Sequence, residues 1–395
     1  MHKKILSFLF LPLILGFATR ANAPVYTSMG RADFSLPAPE LLHAIHTLDT
    51  FIENAIQTGQ TPGAAVAIVA DGKVLLAKGY GKRAVADDLD TDVHTAFRLA
   101  SLSKSFAAFL TGRLVEKERL NWNDPVVQHL PDFCLLSDEQ TRALQLTHLL
   151  SHTTGLPYHT YTNLIEAGKT TEEIIPLLGE VELIGEVGTI YSYQNAAFSL
   201  IEVVAEAVTG LNYEDNLERE VFEPLRMRDA SASLEELLLH GNAAMPHKGG
   251  NGLWRQFNPS SKYYNAGPAG GINASASDMA QYLLAMLGNR PDLMGSANLR
   301  KIGSPYIHTP VRWKYFRHWK QLEKAHYGLG WRILRLTDGE SLLYHGGHVA
   351  GYRAEMAVHP EEGWGICVLF NSAPSIANQC VPLFMDALEK KKEIL

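Results

Sequence analysis

Strand-like and helix-like patterns are unevenly distributed along this 395-residue chain, and that distribution strongly constrains the fold. Apolar runs typical of strands occur near both ends, whereas segments with helical spacing dominate the middle. The dipeptide Asp71-Gly72 separates the first two strand patterns and predicts a hairpin. We therefore expect an α/β fold in which one antiparallel sheet is built from both chain ends and flanked by helices. A large, mostly helical insertion would pack beside that sheet.

The expected strands are 64–69, 74–78, 330–336, 341–344, 352–358 and 365–370, and the expected helices are 41–56, 103–115, 172–178, 196–208, 213–222, 277–287 and about 375–391. No Pro/Gly-rich linker separates domains, so residues 24–395 are expected to form one unit. Its α/β part is predicted at about 40–115 and 325–395, and its helical part at about 116–324. Residues 241–273, rich in Gly, Asn and Pro, fit neither pattern and indicate either a lid or rim, or a mobile surface excursion.

Charge and composition narrow the classes of partner. The chain has 35 Lys+Arg against 42 Asp+Glu, a formal net charge of −7, which excludes a strongly basic nucleic-acid surface. There are 16 histidines, but no His-Glu-x-x-His motif and no Cys-x-x-Cys pair, so no metal is expected. The three cysteines, Cys134, Cys367 and Cys380, are too few and too scattered for a disulfide framework.

The first residues have the features of an export signal. A basic segment at residues 2–4 precedes an apolar run at 5–18 that is short for a membrane span, and small residues follow up to Ala23. We expect a signal peptide at residues 1–23 and a periplasmic or secreted protein, with no stable membrane span after signal removal. An uncleaved signal acting as a tether is the alternative.

Ser101 and Lys104 form a Ser-x-x-Lys pattern that is a candidate for nucleophilic catalysis. A serine three residues before a lysine, at the start of an apolar segment with helical spacing, places both side chains on one face of a first helical turn. A serine hydroxyl becomes an effective nucleophile when a nearby group takes its proton, and a desolvated amine with a lowered pKa can assist. Because Ser-x-x-Lys is a short pattern, its partners decide the interpretation.

A second proton-handling group with a polar neighbour could come from either of two Tyr-x-Asn triplets. Tyr161 and Asn163 lie in a segment with no clear structural frame, whereas Tyr193 and Asn195 directly precede the strong helical pattern from 196. A site built on a regular element is held more firmly, so Tyr193 and Asn195 are the preferred pair. Asn195 could alternatively be an ordinary helix cap.

A strand edge that holds a substrate also has two candidates. Lys248 begins a Lys-Gly-Gly triplet inside the Gly-rich region, where no strand is expected. His345 begins a His-Gly-Gly triplet that ends at Gly347, between two expected strands, and its glycines allow close approach of a substrate. We therefore choose the histidine triplet, although His345 could be an ordinary strand-end residue.

Four further blocks accompany these motifs. They are AVAIVADGKV at 65–74, LLSHTTGLP at 149–157, VFEPLRM at 221–227 and PAGG at 268–271. With them, the sequence resembles the serine β-lactamase and penicillin-binding-protein superfamily. The resemblance is to the branch of class C β-lactamases, D-alanyl-D-alanine carboxypeptidases and related esterases, and it covers nearly all of residues 24–395. It implies the β-lactamase/transpeptidase-like fold.

The resemblance also implies roles for individual residues. Ser101 would attack a carbonyl and form an acyl-enzyme, with Lys104 lowering the cost of its deprotonation and Tyr193 acting as the proton shuttle. Asn195 would orient the substrate amide and the Lys104 side chain. The backbone N–H groups of Ser101 and His348 would form the oxyanion hole. The family requires neither a metal nor an organic cofactor.

One departure from the family concerns the substrate. The third motif of β-lactamases is usually Lys-Thr/Ser-Gly, whereas here His345 and Gly346 replace the fixed cation and the hydroxyl. A protonated His345 would bind an anionic substrate and a neutral one would not. The expected substrates are small molecules or peptidoglycan fragments: a β-lactam, a D-amino-acid amide or an ester. A penicillin-binding D,D-carboxypeptidase with slow deacylation and a non-catalytic binding relative are the alternatives.

Overall fold

A nine-stranded antiparallel sheet organises the molecule. The computed structural model describes residues 38–311 and 316–389. Its strands are β1 Gly63–Ala70, β2 Lys73–Ala84, β3 Leu89–Asp90, β4 Phe97–Arg98, β5 His247–Gly250, β6 Leu253–Gln256, β7 Asn273–Ala274, β8 Ile307–Thr309, β9 Leu322–Tyr327, β10 Arg332–Leu336, β11 Ser341–Val349, β12 Tyr352–His359 and β13 Trp364–Phe370. The sheet order is β3-β2-β1-β13-β12-β11-β10-β9-β8, and β4–β7 and β5–β6 form two small separate pairs. The α/β fold with a sheet built from both ends of the chain is confirmed.

Helices cover both faces of the sheet. They are α1 Pro39–Gln57, α2 Ser103–Glu116, α3 Val126–His129, α4 Asp138–Ala143, α5 Leu146–Leu150, α6 Thr162–Glu166, α7 Thr171–Leu178, α8 Ala196–Thr209, α9 Tyr213–Leu217, α10 Glu223–Leu225, α11 Leu234–Leu239, α12 Gly267–Gly270, α13 Ala276–Met286, α14 Ser296–Ile302 and α15 Cys380–Glu389. Helices α1 and α15 pack together on one face, and α13 packs on β1 and β13 from the other. Within residues 38–311 and 316–389, no helix is both long enough and apolar enough to cross a bilayer.

Strand β1 shows how the sequence places these two layers. All eight of its residues are buried, so its apolar run is continuous rather than alternating. Successive side chains still point to opposite faces. Ala65, Ala67 and Val69 join the large core that contains α2 and α13, and Val66 and Ile68 join the core formed with α1 and α15.

Strand β11 is longer than predicted. The expected strand ended at 344, but β11 continues through the glycines to Val349, because this segment keeps its pairing with β12. Gly346 pairs with Glu355 and Gly347 with Ala354. The glycines therefore lie inside a strand rather than after its end.

The Gly-rich region is also more regular than predicted. Lys248 lies in β5, where no strand was expected, and β5 pairs with β6. The turn between them is Asn251-Gly252, with φ of 53° and 79°, which is the dipeptide that favours a tight hairpin. Elsewhere, the expected helix 213–222 is divided into α9 and a π-helical turn, Glu218–Phe222. The predicted signal peptide lies outside the described residues, as do the last residues of the expected C-terminal helix.

Candidate active site

Ser101 lies in a tight turn that leads directly into α2. The turn is the 3₁₀ segment Ala100–Leu102, and Ser101 itself is partly exposed. Ala100 has φ of 50°, the left-handed region that a non-glycine residue rarely adopts. The Leu99 N–H donates to the Ile272 carbonyl over 2.9 Å, which anchors the start of the turn. Such local strain costs on the order of 1–3 kcal/mol and persists only where the surrounding structure fixes it.

Lys104 follows one helical turn later and is fully buried. Its Nζ donates to Asn195 Oδ1 over 2.9 Å and to the Ala269 carbonyl over 2.8 Å. Burial holds the pKa of Lys104 well below its usual range, and the positive charge of Arg332 lowers it further. A neutral amine has two N–H donors, which these two oxygen atoms use, so its lone pair can accept a proton.

Tyr193 joins the serine and the lysine. Lys104 Nζ lies 4.8 Å from the centre of its ring, and the Ser101 side chain is close enough to influence its pKa. Burial raises the pKa of Tyr193, while the Ser101 side chain and the charge of Arg332 act in the opposite direction. The three groups predicted to carry the chemistry therefore lie in one cluster.

Asn195 occupies the N-cap position of α8 but does not cap the helix with its side chain. Instead, Oδ1 accepts from Lys104, and Nδ2 donates to Thr162 Oγ1 over 3.4 Å. The ordinary-cap alternative therefore does not describe this side chain, because its carbonyl oxygen is used by the buried amine.

Gly347 lets β11 run beside the turn that carries Ser101. A Cβ at this position would lie 2.2 Å from the Leu99 carbonyl oxygen and 3.3 Å from the Ala100 Cβ. Real Cβ atoms do not approach backbone so closely, so this position requires glycine. His348 follows it, with an exposed side chain, and its backbone lies in β11 opposite Arg353. The structure thus brings β11 against the turn that carries Ser101.

His345 is buried and neutral. Its Nδ1 is 3.0 Å from the Gly346 carbonyl, which can only accept, so Nδ1 carries the proton. Nε2 is then the acceptor for the Tyr327 hydroxyl at 2.9 Å. Burial holds the pKa of His345 well below its usual range, and the charge of Arg332 adds to this effect. His345 contacts the site through Tyr327, and it does not supply a positive charge there.

Arg332 is the functional candidate that the sequence analysis missed. It lies at the start of β10, and its guanidinium carbon is 5.7 Å from the centre of the Tyr327 ring. Its positive charge acts to lower the pKa values of Lys104, Tyr191 and Tyr193. The available signal was weak: Arg332 is one of two arginines in an otherwise apolar strand pattern, in a chain whose third motif lacks lysine.

The rejected triplets lie elsewhere. The Tyr161 hydroxyl donates to the Leu177 carbonyl over 3.1 Å, which is a structural bond to α7. Lys248 is exposed in the separate β5–β6 pair, with Nζ 5.8 Å from the Phe257 ring. Tyr193 and β11 are the candidates that lie beside Ser101.

Residues 241–273 form part of the wall of the site. The buried Arg98 donates to the Ser260 carbonyl over 2.6 Å and to the Lys262 carbonyl over 2.7 Å. Helix α12, in the same region, provides the Ala269 carbonyl that binds Lys104. The Gly267 N–H at the start of α12 donates to Glu202 Oε2 over 3.1 Å. The sequence analysis missed this backbone contribution, because it carries no side-chain signal.

The chain is similar in sequence to the following two curated proteins. The chain is 25% identical over 342 residues to Protein flp of Staphylococcus aureus (strain NCTC 8325 / PS 47), which covers 82% of this chain and 62% of that protein. It is 25% identical over 354 residues to Unguisins hydrolase ungD' of Aspergillus campestris (strain IBT 28561), which covers 87% and 64%. The chain therefore spans about three-fifths of the length of these curated relatives.

A solved structure and a family profile agree with these similarities. The structure of the octameric penicillin-binding protein homologue from Pyrococcus abyssi matches with a TM-score of 0.74 at 27% identity, covering 87% of this chain and 77% of that one. The profile of the Beta-lactamase family matches residues 48–383. That range includes the turn that carries Ser101, Tyr193 and β11. The fold is the β-lactamase/transpeptidase-like fold that the resemblance implied. The chain belongs to the beta-lactamase family.

Proposed function

We propose that this protein is a serine hydrolase that forms an acyl-enzyme on Ser101. The observation that carries the proposal is the buried Lys104 amine, which is held by Asn195 and Ala269 and lies 4.8 Å from the centre of the Tyr193 ring, one helical turn after Ser101. A desolvated amine next to a phenol and a hydroxyl forms a proton relay, and burying these groups for structural purposes alone would be costly. The relative named as a hydrolase supports the same reaction class.

In the proposed acylation step, Ser101 Oγ forms a bond to the carbonyl carbon of the substrate. Its proton passes to the Tyr193 oxygen, and the Tyr193 proton passes to the neutral amine of Lys104. The carbonyl oxygen becomes an oxyanion, which the backbone N–H groups of Ser101 and His348 would bind. When the tetrahedral intermediate collapses, the carbonyl–nitrogen or carbonyl–oxygen bond breaks. The leaving group then takes its proton from Tyr193, which is reprotonated by Lys104.

Deacylation uses the same relay. A water molecule attacks the ester carbonyl and gives its proton to Tyr193, and Ser101 Oγ leaves and recovers a proton. Asn195 Oδ1 accepts from Lys104, and in this proposal the Asn195 amide orients both the amine and a substrate amide. Each round would therefore return Ser101, Tyr193 and Lys104 to their starting protonation states.

Arg332 is the proposed binding group for an anionic substrate. His345 is neutral and already bonded to Tyr327, so it does not replace the lysine of the usual third motif. Arginine stays charged in proteins and pairs with carboxylates through two parallel hydrogen bonds. We therefore favour substrates that carry a carboxylate near the scissile bond. Both β-lactams and D-peptides meet this condition, and simple esters do not.

A penicillin-binding D,D-carboxypeptidase is the second candidate. It shares the acylation step and differs in slow deacylation of the drug, and the solved structure named as a penicillin-binding protein homologue favours it. We also propose export to the periplasm or the medium, on the signal-like pattern of residues 1–23.

Intact mass spectrometry over time tests the proposal. The purified protein would be mixed with a penicillin, an activated ester or a D-amino-acid amide, with Ser101→Ala as the matched control. We expect a mass increase equal to the acyl group in the wild type and none in the control. A transient adduct with hydrolysed drug indicates a β-lactamase, and a persistent one indicates the carboxypeptidase. If no substrate and no serine-directed fluorophosphonate adds mass, the protein is a non-catalytic relative.

A further inference from the structure

A buried histidine that the proposed reaction does not use lies against Tyr193. His152, two residues after α5, is fully buried. The centre of its ring is 4.3 Å from that of Tyr193, with 41° between the planes, and 4.6 Å from that of Tyr327. Its φ of 59° is left-handed, so the backbone here is held in an uncommon conformation. Such outliers concentrate where a site requires a side chain in one place.

His152 binds both residues that flank Tyr193 in the chain. The Ser192 N–H donates to the His152 carbonyl over 2.9 Å, and the Gln194 N–H donates to His152 Nδ1 over 3.1 Å. Tyr193 is therefore the middle residue of a three-residue segment whose two ends are fixed by one histidine. The Tyr193 carbonyl is bound separately, by the His159 N–H over 2.9 Å.

The hydrogen bond from Gln194 also fixes the form of the ring. Because Nδ1 accepts, the ring proton is on Nε2, and the imidazole is neutral. Burial lowers the pKa of His152 well below its usual range, and the charge of Arg332 acts in the same direction. Among the residues that the structure describes, Nε2 has no hydrogen-bond partner. Within the described residues, the hydrogen bond that the His152 ring makes is therefore the one that Nδ1 accepts from the Gln194 N–H.

We propose that His152 is a positioning residue for the Tyr193 proton shuttle. Its Nδ1 and its carbonyl oxygen hold the segment 192–194, so that the Tyr193 hydroxyl remains next to the Ser101 side chain. This inference rests on the proposed acyl-enzyme function. Without the acceptor, the Gln194 N–H would be buried and unpaired, and the segment would relax to satisfy it. A displacement of about 1 Å at a reacting group can lower a rate by about 100-fold.

Two substitutions distinguish the contribution of the Nδ1 acceptor from that of the aromatic ring. In H152N, the Asn Oδ1 can take the place of Nδ1, and Asn tolerates a positive φ. In H152F, the ring remains and the acceptor is lost. The matched control is His247→Phe, because His247 is also buried and its Nε2 also accepts a backbone N–H, that of Val85 at 3.3 Å, outside the site. Thermal unfolding would confirm that each variant is folded, and H152L replaces H152F if the latter does not fold.

The measurement is the rate at which a fluorophosphonate labels Ser101, resolved into its maximal rate constant and its half-saturating concentration. In this reaction Ser101 Oγ bonds to phosphorus, fluoride leaves, and the serine proton enters the relay. We expect H152F to lower the maximal rate constant by about 10- to 100-fold, with the half-saturating concentration changed less than about threefold. H152N should stay within about fivefold of the wild type, and His247→Phe should label normally.

Three results would overturn the inference. They are a folded H152F (or H152L) that labels at the wild-type rate, an H152N that labels no faster than H152F, and a change confined to the half-saturating concentration. A wild type that is not labelled at all removes the proposed function and this inference together, whereas a labelled wild type with an unaffected H152F removes only the inference.

Discussion

Lys104 shows how a single buried residue determines the chemistry of the site. Its amine lies between two uncharged oxygen atoms, those of Asn195 and Ala269, and close to the positive charge of Arg332. Burial of the amine and the positive charge of Arg332 both disfavour the ammonium form, so the pKa of Lys104 falls. The same burial raises the pKa of Tyr193. A phenol that holds its proton beside an amine that lacks one forms a relay that can move protons in either direction.

A pair of tyrosine substitutions tests this relay at the residue scale. Tyr193→Phe should lower the acylation rate by about 10²- to 10⁴-fold, because it removes the group that accepts the Ser101 proton. Tyr161→Phe, the matched control, should leave acylation unchanged and lower the free energy of unfolding by about 1 kcal/mol, because it breaks the bond to the Leu177 carbonyl. Rapid-quench acylation and denaturant unfolding measure the two effects. If the two variants exchanged these phenotypes, the assignment of Tyr193 would be wrong.

Arg332→Gln tests the proposed carboxylate contact. The ratio of kcat/KM for a penicillin to kcat/KM for a neutral ester should fall by about 10- to 100-fold, since a hydrogen bond to a charged group contributes about 1.5–3 kcal/mol. Both substrates experience the same change in the pKa of Lys104, so the ratio isolates the contact with the substrate. An unchanged ratio would assign carboxylate binding to another group.

At the scale of elements, the site depends on the approach of β11 to the turn before α2. Gly347 permits that approach, because a Cβ would lie 2.2 Å from the Leu99 carbonyl oxygen. A second element, α12, presents the Ala269 carbonyl to Lys104. The relay is thus held by α2, the segment before α8, α12 and β11, which come from separate parts of the chain.

The substitution Gly347→Ala should therefore separate β11 from the nucleophile turn. We expect a loss of about 1–3 kcal/mol in the free energy of unfolding and at least about a tenfold loss in acylation rate. Gly250→Ala is the matched control, since a Cβ at Gly250 has no heavy atom within 4 Å. Equal acylation rates for the two variants would show that β11 does not need this close contact.

At the scale of the whole molecule, Glu202 makes stability depend on pH. It is partly buried and accepts the Gly267 N–H, and burial raises its pKa from 4.5 to about 8. Between these values the native state keeps a proton that the unfolded chain releases. Stability from this group is therefore fully present below pH 4.5 and is lost as the pH rises through about 8.

Glu202→Gln removes this titration and keeps an acceptor for Gly267. The difference in free energy of unfolding, wild type minus variant, should decrease steadily as the pH rises from about 4.5 to about 8 and then level off. Denaturant unfolding at a series of pH values measures it, because all other groups are shared by the two proteins. A difference that does not change with pH would mean that Glu202 is ionised in the native state.

Much of this architecture was predictable because it depends on local patterns. Local sequence patterns predict three elements: the continuous apolar run predicts β1, Asp71-Gly72 predicts the turn after it, and the amphipathic spacing predicts α1. Strands β8 and β9 were missed, since the edge strand β8 has only three residues and its neighbour β9 carries Glu323 and Lys324 in its first half. The neutral state of His345 and the role of Arg332 could not be predicted either, because both depend on burial that only the fold creates.

The pairing of β1 with β13 also has a consequence for the timing of activity during synthesis. The turn that carries Ser101 is made early, but β11 and β13, which complete the sheet beside it, emerge from the ribosome only after residue 340. Contacts of such long sequence separation form late in folding. A nascent chain would therefore hold Ser101 in an unfinished pocket until β11 and β13 have been made, and the fold itself would delay the proposed hydrolysis until then.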